Sequence, residues 1–291
     1  MPEGYLIEKY NNMGVSYTCS RLHDEAGARG MGLRTIGVRD TALTSAGPVN
    51  LGAVLPEADF AILRYKWGTT APAIAARAAH TCNEADAFFR FVSKAEQRRR
   101  LSSPHFLVPD WQLVTGVPDF TRTAGVLGAP FVVKAPDRSM GENVFLISSE
   151  EDLVPLGAFG PEKEWICERF VAESRGRDMR VFCLRGEPIA AMIRSAKDDF
   201  RANVALGAVT TPLDIEDWMR KGARDIYART GLAVMGIDFL FGAEKPYLCE
   251  INVMPGLAGI ERTTGVNAAG AVMDMILADC GEGPQTTARQ E

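Results

Sequence analysis

From Gly236 to Gly265 the chain reads GIDFLFGAEKPYLCEINVMPGLAGIERTTG, with two short apolar runs, Gly236–Phe241 and Pro246–Val253, flanking a turn-forming Gly242-Ala243-Glu244-Lys245. This pattern predicts two paired strands. Three oxygen-bearing side chains interrupt the runs: Asp238 on the first, Glu250 and Asn252 on the second. Strand side chains alternate faces, so Glu250 and Asn252 point the same way and a hairpin can set Asp238 opposite them. Two carboxylates and an amide oxygen on one face repel each other and lack donors. A hard divalent cation resolves both problems, and magnesium takes one or two carboxylates while leaving places for phosphate oxygens. A solvated sheet face carries the same alternation, and the hairpin alone leaves both readings open. Against the solvated face, the runs are otherwise almost continuously apolar, as in strands buried on both sides, and buried carboxylates rarely lack a partner.

The first ninety residues alternate short strands and helices, which implies a small open parallel sheet. Leu33–Val38 and Phe60–Leu63 read as strands, Ser16–Arg29 and Ala71–His80 as helices, and the Gly- and Pro-bearing stretch Thr41–Pro56 as a loop with little regular structure. Helical patterning resumes over Glu84–Phe91, and Ser93-Lys94-Ala95-Glu96 is a capping-box pattern opening Lys94–Leu101. The run Ala129–Pro136, with Lys134 near its end, leads through Asp137–Asn143 into Val144–Ile147, a strand–loop–strand hairpin. Lysine beside a turn of backbone amides can cradle phosphate, but taken alone this segment reads better as a surface hairpin with a partly exposed lysine. Glu164–Val171, Asp178–Leu184 and Pro188–Ile193 read as strands, the last two joined by Arg185-Gly186-Glu187. A polar loop from Arg194 to Asn203 follows. Thr211-Pro212-Leu213-Asp214 then reads as the capped start of a helix whose stripe Ile215, Trp218, Met219, Ile226 and Tyr227 faces a core and which Gly231 stops. A last helix spans Ala268–Ala278, and the polar tail Gly281–Glu291 is expected to be disordered.

Composition narrows the function. Of 291 residues, 46% are hydrophobic and 24% charged, enough for a substantial core and for two or three lobes. A net charge of −5 (32 basic, 37 acidic) argues against a nucleic-acid or membrane surface as partner. The one basic cluster, Arg98-Arg99-Arg100, reads as the solvated face of a helix. There is no transmembrane-length apolar stretch and no signal-peptide pattern at the start. The six cysteines are scattered without a CxxC, which fits a reducing cytoplasm. The three histidines form no zinc motif, and no GxSxG elbow offers a serine nucleophile.

With these segments placed, the chain resembles the RimK-type branch of the ATP-grasp carboxylate–amine ligases over nearly its whole length, thinning before about residue 80 and beyond 280. The most specific stretch is Glu250-Ile251-Asn252-Val253-Met254-Pro255-Gly256-Leu257-Ala258-Gly259-Ile260-Glu261-Arg262-Thr263-Thr264-Gly265, close to the family's EVNxSPGLxGIExxTG. Asp178-Met179-Arg180-Val181-Phe182, Phe200-Arg201-Ala202-Asn203 and Gly236-Ile237-Asp238 occur in the expected order. The resemblance implies an α/β and α+β chain: an ATP-grasp fold behind an N-terminal open-sheet pre-ATP-grasp lobe. Its lobes would be 1–92, 93–166 (the central lid lobe) and 167–280 (the metal-bearing lobe), followed by the tail 281–291. The implied reaction passes through an acyl phosphate. A substrate carboxylate takes the γ-phosphoryl group of ATP, and an amine then displaces phosphate to leave an amide. Phosphoryl transfer asks mainly for positioning and charge neutralisation.

The resemblance also distributes roles. Asp238, Glu250 and Asn252 match the ligands of magnesium, for which manganese can substitute. Lys134 and Lys94 match lysines on the nucleotide, and Glu168, Arg169 and Phe170 match the hinge that meets adenine, chiefly through backbone. Asp178 matches the ribose partner. Arg201 and Asn203 match the pair at the transferring phosphoryl group, with Arg194 and Lys197 in the same region. Two departures stand out: the hinge is Glu168-Arg169-Phe170 where Gln-Glu-Tyr is usual, and the phosphate-covering loop Ser139–Asn143 keeps only Gly141. Larger side chains limit how closely amides approach phosphate, so loop closure, which sets turnover in many such enzymes, is a point of difference. The expected partners are a small-molecule or peptide carboxylate and an amine, with an amino acid such as glutamate a candidate donor. The acceptor (protein C-terminus, peptide or metabolite) and the choice between monomer and homo-oligomer stay open. The competing reading is a non-catalytic nucleotide-binding scaffold. The retained Asp238, Glu250, Asn252, Lys134 and Arg201 weigh against it.

Overall fold

Tyr5, Leu6 and Ile7 form an unbroken buried run in the first strand, the mark of a parallel sheet covered on both faces. The computed structural model describes residues 1–11, 16–136, 143–197, 199–202 and 207–282. Two compact units divide the chain, one of Met1–Phe89 with Gly231–Val234 and Val253–Glu291, the other of Arg90–Thr230 with Met235–Asn252.

In the first unit, β1 (Glu3–Glu8) pairs in parallel with β2 (Gly32–Gly37). Then come β3 (Thr41–Thr44), β4 (Gly47–Asn50) and β5 (Ala53–Val54), a small antiparallel sheet. Next are β6 (Ala58–Leu63) and β7 (Ala78–Cys82), which complete a parallel sheet of order β2-β1-β6-β7. The open parallel sheet is as expected, but two local expectations fail. The stretch Thr41–Pro56 is a meander and not a loop, because strands of two to four residues between turns at Gly47 (φ 115°) and Gly52 (φ 79°) are too short to display an alternating pattern. The helix expected over Ala71–His80 is Thr70–Ala75 only, and Ala78–Cys82 joins the sheet edge, because pairing with β6 overrides alanine's helical preference. Ser16 caps the helix Tyr17–Ala28 by accepting from the Cys19 amide at 3.2 Å. Arg29 ties that helix to Asp274 (2.6 Å) on the helix Ala268–Glu282, which runs past the expected end at Ala278. Of the polar tail, residues 283–291 lie outside the described residues.

The second unit holds two sheets. β8 (Trp111–Thr115), β9 (Phe131–Lys134), β10 (Val144–Ile147) and β11 (Glu164–Arg169) form an antiparallel sheet of order β10-β9-β11-β8. Its core is Phe131, Val133, Ile147, Leu156 and Trp165, none of them exposed. Complete burial of such a side chain contributes roughly 1.5–3 kcal/mol. The β9–β10 hairpin is the one read from sequence, but residues 137–142 of its loop, and with them all of the glycine-poor stretch except Asn143, lie outside the described residues.

The other sheet is β12 (Arg177–Leu184), β13 (Glu187–Ser195), β14 (Val209–Pro212), β15 (Val234–Leu240) and β16 (Tyr247–Asn252), in the order β14-β13-β12-β15-β16. Arg185 and Gly186 take positive φ (48° and 78°) in the β12–β13 turn, where a Cβ at Gly186 would lie 2.7 Å from Tyr227 Cβ. The helix expected to open at Thr211 begins at Asp217, because Thr211 and Pro212 belong to an edge strand, a place where proline costs no ladder bond. Its core stripe is real: Met219 and Ile226 are fully buried, and Trp218 packs edge-on against Phe239 with centroids 5.1 Å apart. The helix Lys94–Arg100 starts as read, with Ser93 Oγ accepting from the Glu96 amide. No helix among the described residues is long and apolar enough to cross a membrane.

Candidate active site

Asp238 on β15 stands directly opposite Glu250 on β16, and Gly236 opposite Asn252, so the three oxygen-bearing side chains share the face that the hairpin pattern predicts. The register slips just beyond, where Phe239 pairs with Leu248 and Cys249 is left as the extra residue of a bulge. Like charges directly opposite across a ladder destabilise it, and cations answer both. Arg180 grips Asp238 with two bonds of 2.6 Å, Arg194 adds a third at 2.8 Å, and Lys94 Nζ lies 3.1 Å from Glu250 Oε2. Arg194 also clamps Asp178 through two 2.6 Å bonds, so one guanidinium serves two carboxylates. Burial opposes ionisation of Asp238, but Arg180 and Arg194 outweigh it and keep the carboxyl below the usual carboxylate range. For Asp178 burial prevails over Arg194, with help from the Asp238 charge, and its carboxyl is pushed up to about 6.

A second buried charge cluster lies in the wall formed by β9 and β11. Glu168, with its side chain 3% exposed, accepts from Arg98 Nε at 2.7 Å through one oxygen and holds Lys134 Nζ at 2.5 Å with the other. Burial pushes the Glu168 carboxyl up, yet the charges of Arg98 and Lys134 win and hold it at about 2. A carboxylate depressed in the folded state contributes stability above its ordinary pKa of 4.5 and loses it as pH falls towards 2, about 3 kcal/mol in all. Replacing Glu168 with glutamine is therefore expected to flatten the fall of unfolding free energy between pH 4.5 and 2, measured by urea titration at several pH values. An unchanged slope would show that Glu168 is not a linked group.

Both clusters, Arg98 excepted, line one cavity of about 190 Å³ within the second unit, to which Phe170, Arg169 and Arg201 also contribute. Of the sequence-derived set, Lys94, Lys134, Glu168, Arg169, Phe170, Asp178, Arg194, Arg201, Asp238, Glu250 and Asn252 meet here. Asn203 lies outside the described residues, and Lys197 is not part of the lining. Arg201 is paired with Asp199 at 2.7 Å, and Arg169 turns to the rim, where Asp110 meets it at 2.7 Å. Arg194, expected in a polar loop, sits on β13, because the strand continues to Ser195. Among the described residues no three His, Cys, Asp or Glu side chains converge as a metal site. Two carboxylates and the Asn252 amide suit a hard cation that shares its shell with phosphate oxygens, so this face fits magnesium.

Two residues in these clusters escaped the sequence reading. Arg180 stands two positions from Asp178 on β12, a spacing that puts both on one face. Arg98 belongs to a basic run whose sequence pattern predicts a solvated face. Its neighbours Arg99 and Arg100 do sit in solvent beside Glu96, but the Arg98 side chain is 0% exposed. The signal was its position four residues after Lys94, on the same helix face.

Residues 106–276 match the family model of the RimK-like ATP-grasp domain. A probable alpha-L-glutamate ligase of Enterobacter sp. (strain 638) is 31% identical over 281 residues, covering 90% of this chain and 92% of that protein. In structure, the ATP-grasp ligase PsnB complexed with a minimal precursor superposes with a TM-score of 0.71 at 14% identity, over 96% of this chain and 98% of that one. D-alanine–D-alanine ligase of Bacillus anthracis complexed with ATP gives 0.66 at 14% identity, over 97% and 98%. These two likenesses concern the fold. The chain belongs to the RimK-like ATP-grasp family and is, with it, an ADP-forming carboxylate–amine ligase. ATP and magnesium are general to that family.

Proposed function

We propose that this enzyme joins an amino acid, with glutamate the first candidate, to the carboxylate of a peptide, a protein C-terminus or a small metabolite, through an acyl phosphate. The observation that carries the proposal is the cavity in which Lys94, Lys134, Arg180 and Arg194 face Asp238, Glu250 and Asn252. Such a lining matches a polyphosphate with its cation, and burial pushes its thiol, Cys249, up to about 11, so that it stays protonated and a poor nucleophile. The name of the Enterobacter relative supports glutamate as the amino acid.

In this reading Lys134 and Lys94 bind the nucleotide phosphates, and Glu168, Arg169 and Phe170 border the adenine. Asp178 orients the ribose, and Asp238, Glu250 and Asn252 hold magnesium, or manganese in its place. Bound there, the metal supplies positive charge against the phosphate oxygens. The substrate carboxylate oxygen attacks the γ-phosphorus, the bond from that phosphorus to the β-phosphate oxygen breaks, and ADP leaves. Arg201 and Arg194 neutralise charge on the equatorial oxygens as it spreads over them, and the Asn203 amide donates a hydrogen bond to them. The amine then attacks the acyl carbon, loses a proton and expels inorganic phosphate. Arg180 and Arg194, held on carboxylates beside the cavity, are poised to exchange those partners for phosphate.

The test is chemical. Purified enzyme with ATP, magnesium and each member of a carboxylate panel should release ADP only when its own carboxylate is present. Hydroxylamine in place of the amine should capture a hydroxamate, read by mass spectrometry. Release of AMP and pyrophosphate would defeat the acyl-phosphate route, and hydroxamate formation on glutamate itself would reverse its assignment as donor.

A further inference from the structure

We propose that Arg98 is a positioning residue of the nucleotide site, which shares the Glu168 carboxylate so that the Lys134 ammonium keeps charge available for a bound phosphate. The inference rests on the reading of Lys134 as a phosphate ligand. Lys134 Nζ is 2.5 Å from Glu168 Oε2, a separation at which an undivided carboxylate would cancel the lysine. The same carboxylate takes Arg98 Nε at 2.7 Å on its other oxygen. One negative group thus serves two cations, and the cavity wall keeps an excess positive charge. All three side chains are at most 9% exposed, so water does little to screen this balance.

The way Arg98 is held argues against a purely structural role. Its Nη2 donates to the Cys249 carbonyl, while its buried Nη1 has no hydrogen-bond partner among the described residues. A buried guanidinium with an open donor is a poor stabiliser, and an apolar side chain of similar length would fill the place without its desolvation cost. The Cys249 carbonyl lies between Leu248 and Glu250 on β16, so the same guanidinium also ties the hinge strand β11 to the strand carrying Glu250 and Asn252. Arg98 therefore sets both the charge left on Lys134 and the spacing of two cavity walls, without lying on the face that carries Asp238.

Calorimetric binding of magnesium–ADP to four purified proteins tests this: wild type, Arg98→Met, the double variant Arg98→Met/Glu168→Gln, and Lys134→Met. Arg98→Met leaves Glu168 and Lys134 as a neutral pair and should weaken binding on the order of tenfold. The double variant removes the charge that claims Lys134 and should recover most of that loss. Unchanged affinity in Arg98→Met, or a double variant as weak as the single one, would overturn the positioning role. A merely structural Arg98 would lower the nucleotide-free melting temperature and leave the affinity of the folded protein unchanged, which also overturns it. Wild-type affinity in Lys134→Met would instead defeat the phosphate assignment beneath the proposal. Should Arg98→Met fail to fold, Arg98→Gln keeps a donor for Glu168, removes the charge, and carries the same comparison.

Discussion

Replacing Glu250 with glutamine is expected to abolish ligation and leave the fold intact. The Glu250 side chain is 23% exposed and its ion-pair partner is Lys94 at 3.1 Å, a bond that an amide oxygen can still accept. What glutamine removes is a negative charge on the face proposed to hold magnesium, where that charge helps fix the cation against phosphate. A loss of about a thousandfold in kcat, roughly 4 kcal/mol of barrier, is the expected size. The variant should melt near wild type without nucleotide and lose the magnesium-dependent rise in melting temperature that ATP gives. Activity within tenfold of wild type would remove Glu250 from the metal face.

The facing carboxylate should behave in the opposite way. Asp238 is 3% exposed and receives three charge-assisted bonds from Arg180 and Arg194. Asp238→Asn keeps the shape but leaves Arg180 without its carboxylate, and breaking a buried pair from one side costs about 3–5 kcal/mol. Urea unfolding should register that loss, and adding Arg180→Met should restore most of the stability without restoring activity. A double variant no more stable than the single one would show that the arginine is not the source of the cost. The two variants would thus separate the facing residues into one proposed to act through the metal and one that also holds the sheet together.

Local rules settle a good deal in this chain. Strand alternation alone sets Asp238, Glu250 and Asn252 on one face, and the pairing of Asp238 with Glu250 bears it out. Ser16 and Ser93 announce their helices because a cap needs only the next three residues. The motif order around Asp178, Arg201 and Asp238 carried the family, and residues 106–276 match it. Other features depend on groups far away in sequence. Ala78–Cys82 is a strand because β6 offers it an open edge, and Thr211-Pro212 joins a sheet for the same reason. The charge clusters were the least legible. Arg98 meets Glu168 across 70 residues and Arg180 meets Asp238 across 58, so within each segment only the face shared with Lys94 or with Asp178 hints at burial, and the carboxylate partner is out of view. The sequence by itself determined most of the groups that line the cavity, Arg180 excepted, and the strand face that Asp238, Glu250 and Asn252 share. Only the tertiary structure decided which cation each carboxylate neutralises, because in a low-dielectric wall that choice follows from distances of 2.5–3.1 Å between segments far apart in sequence.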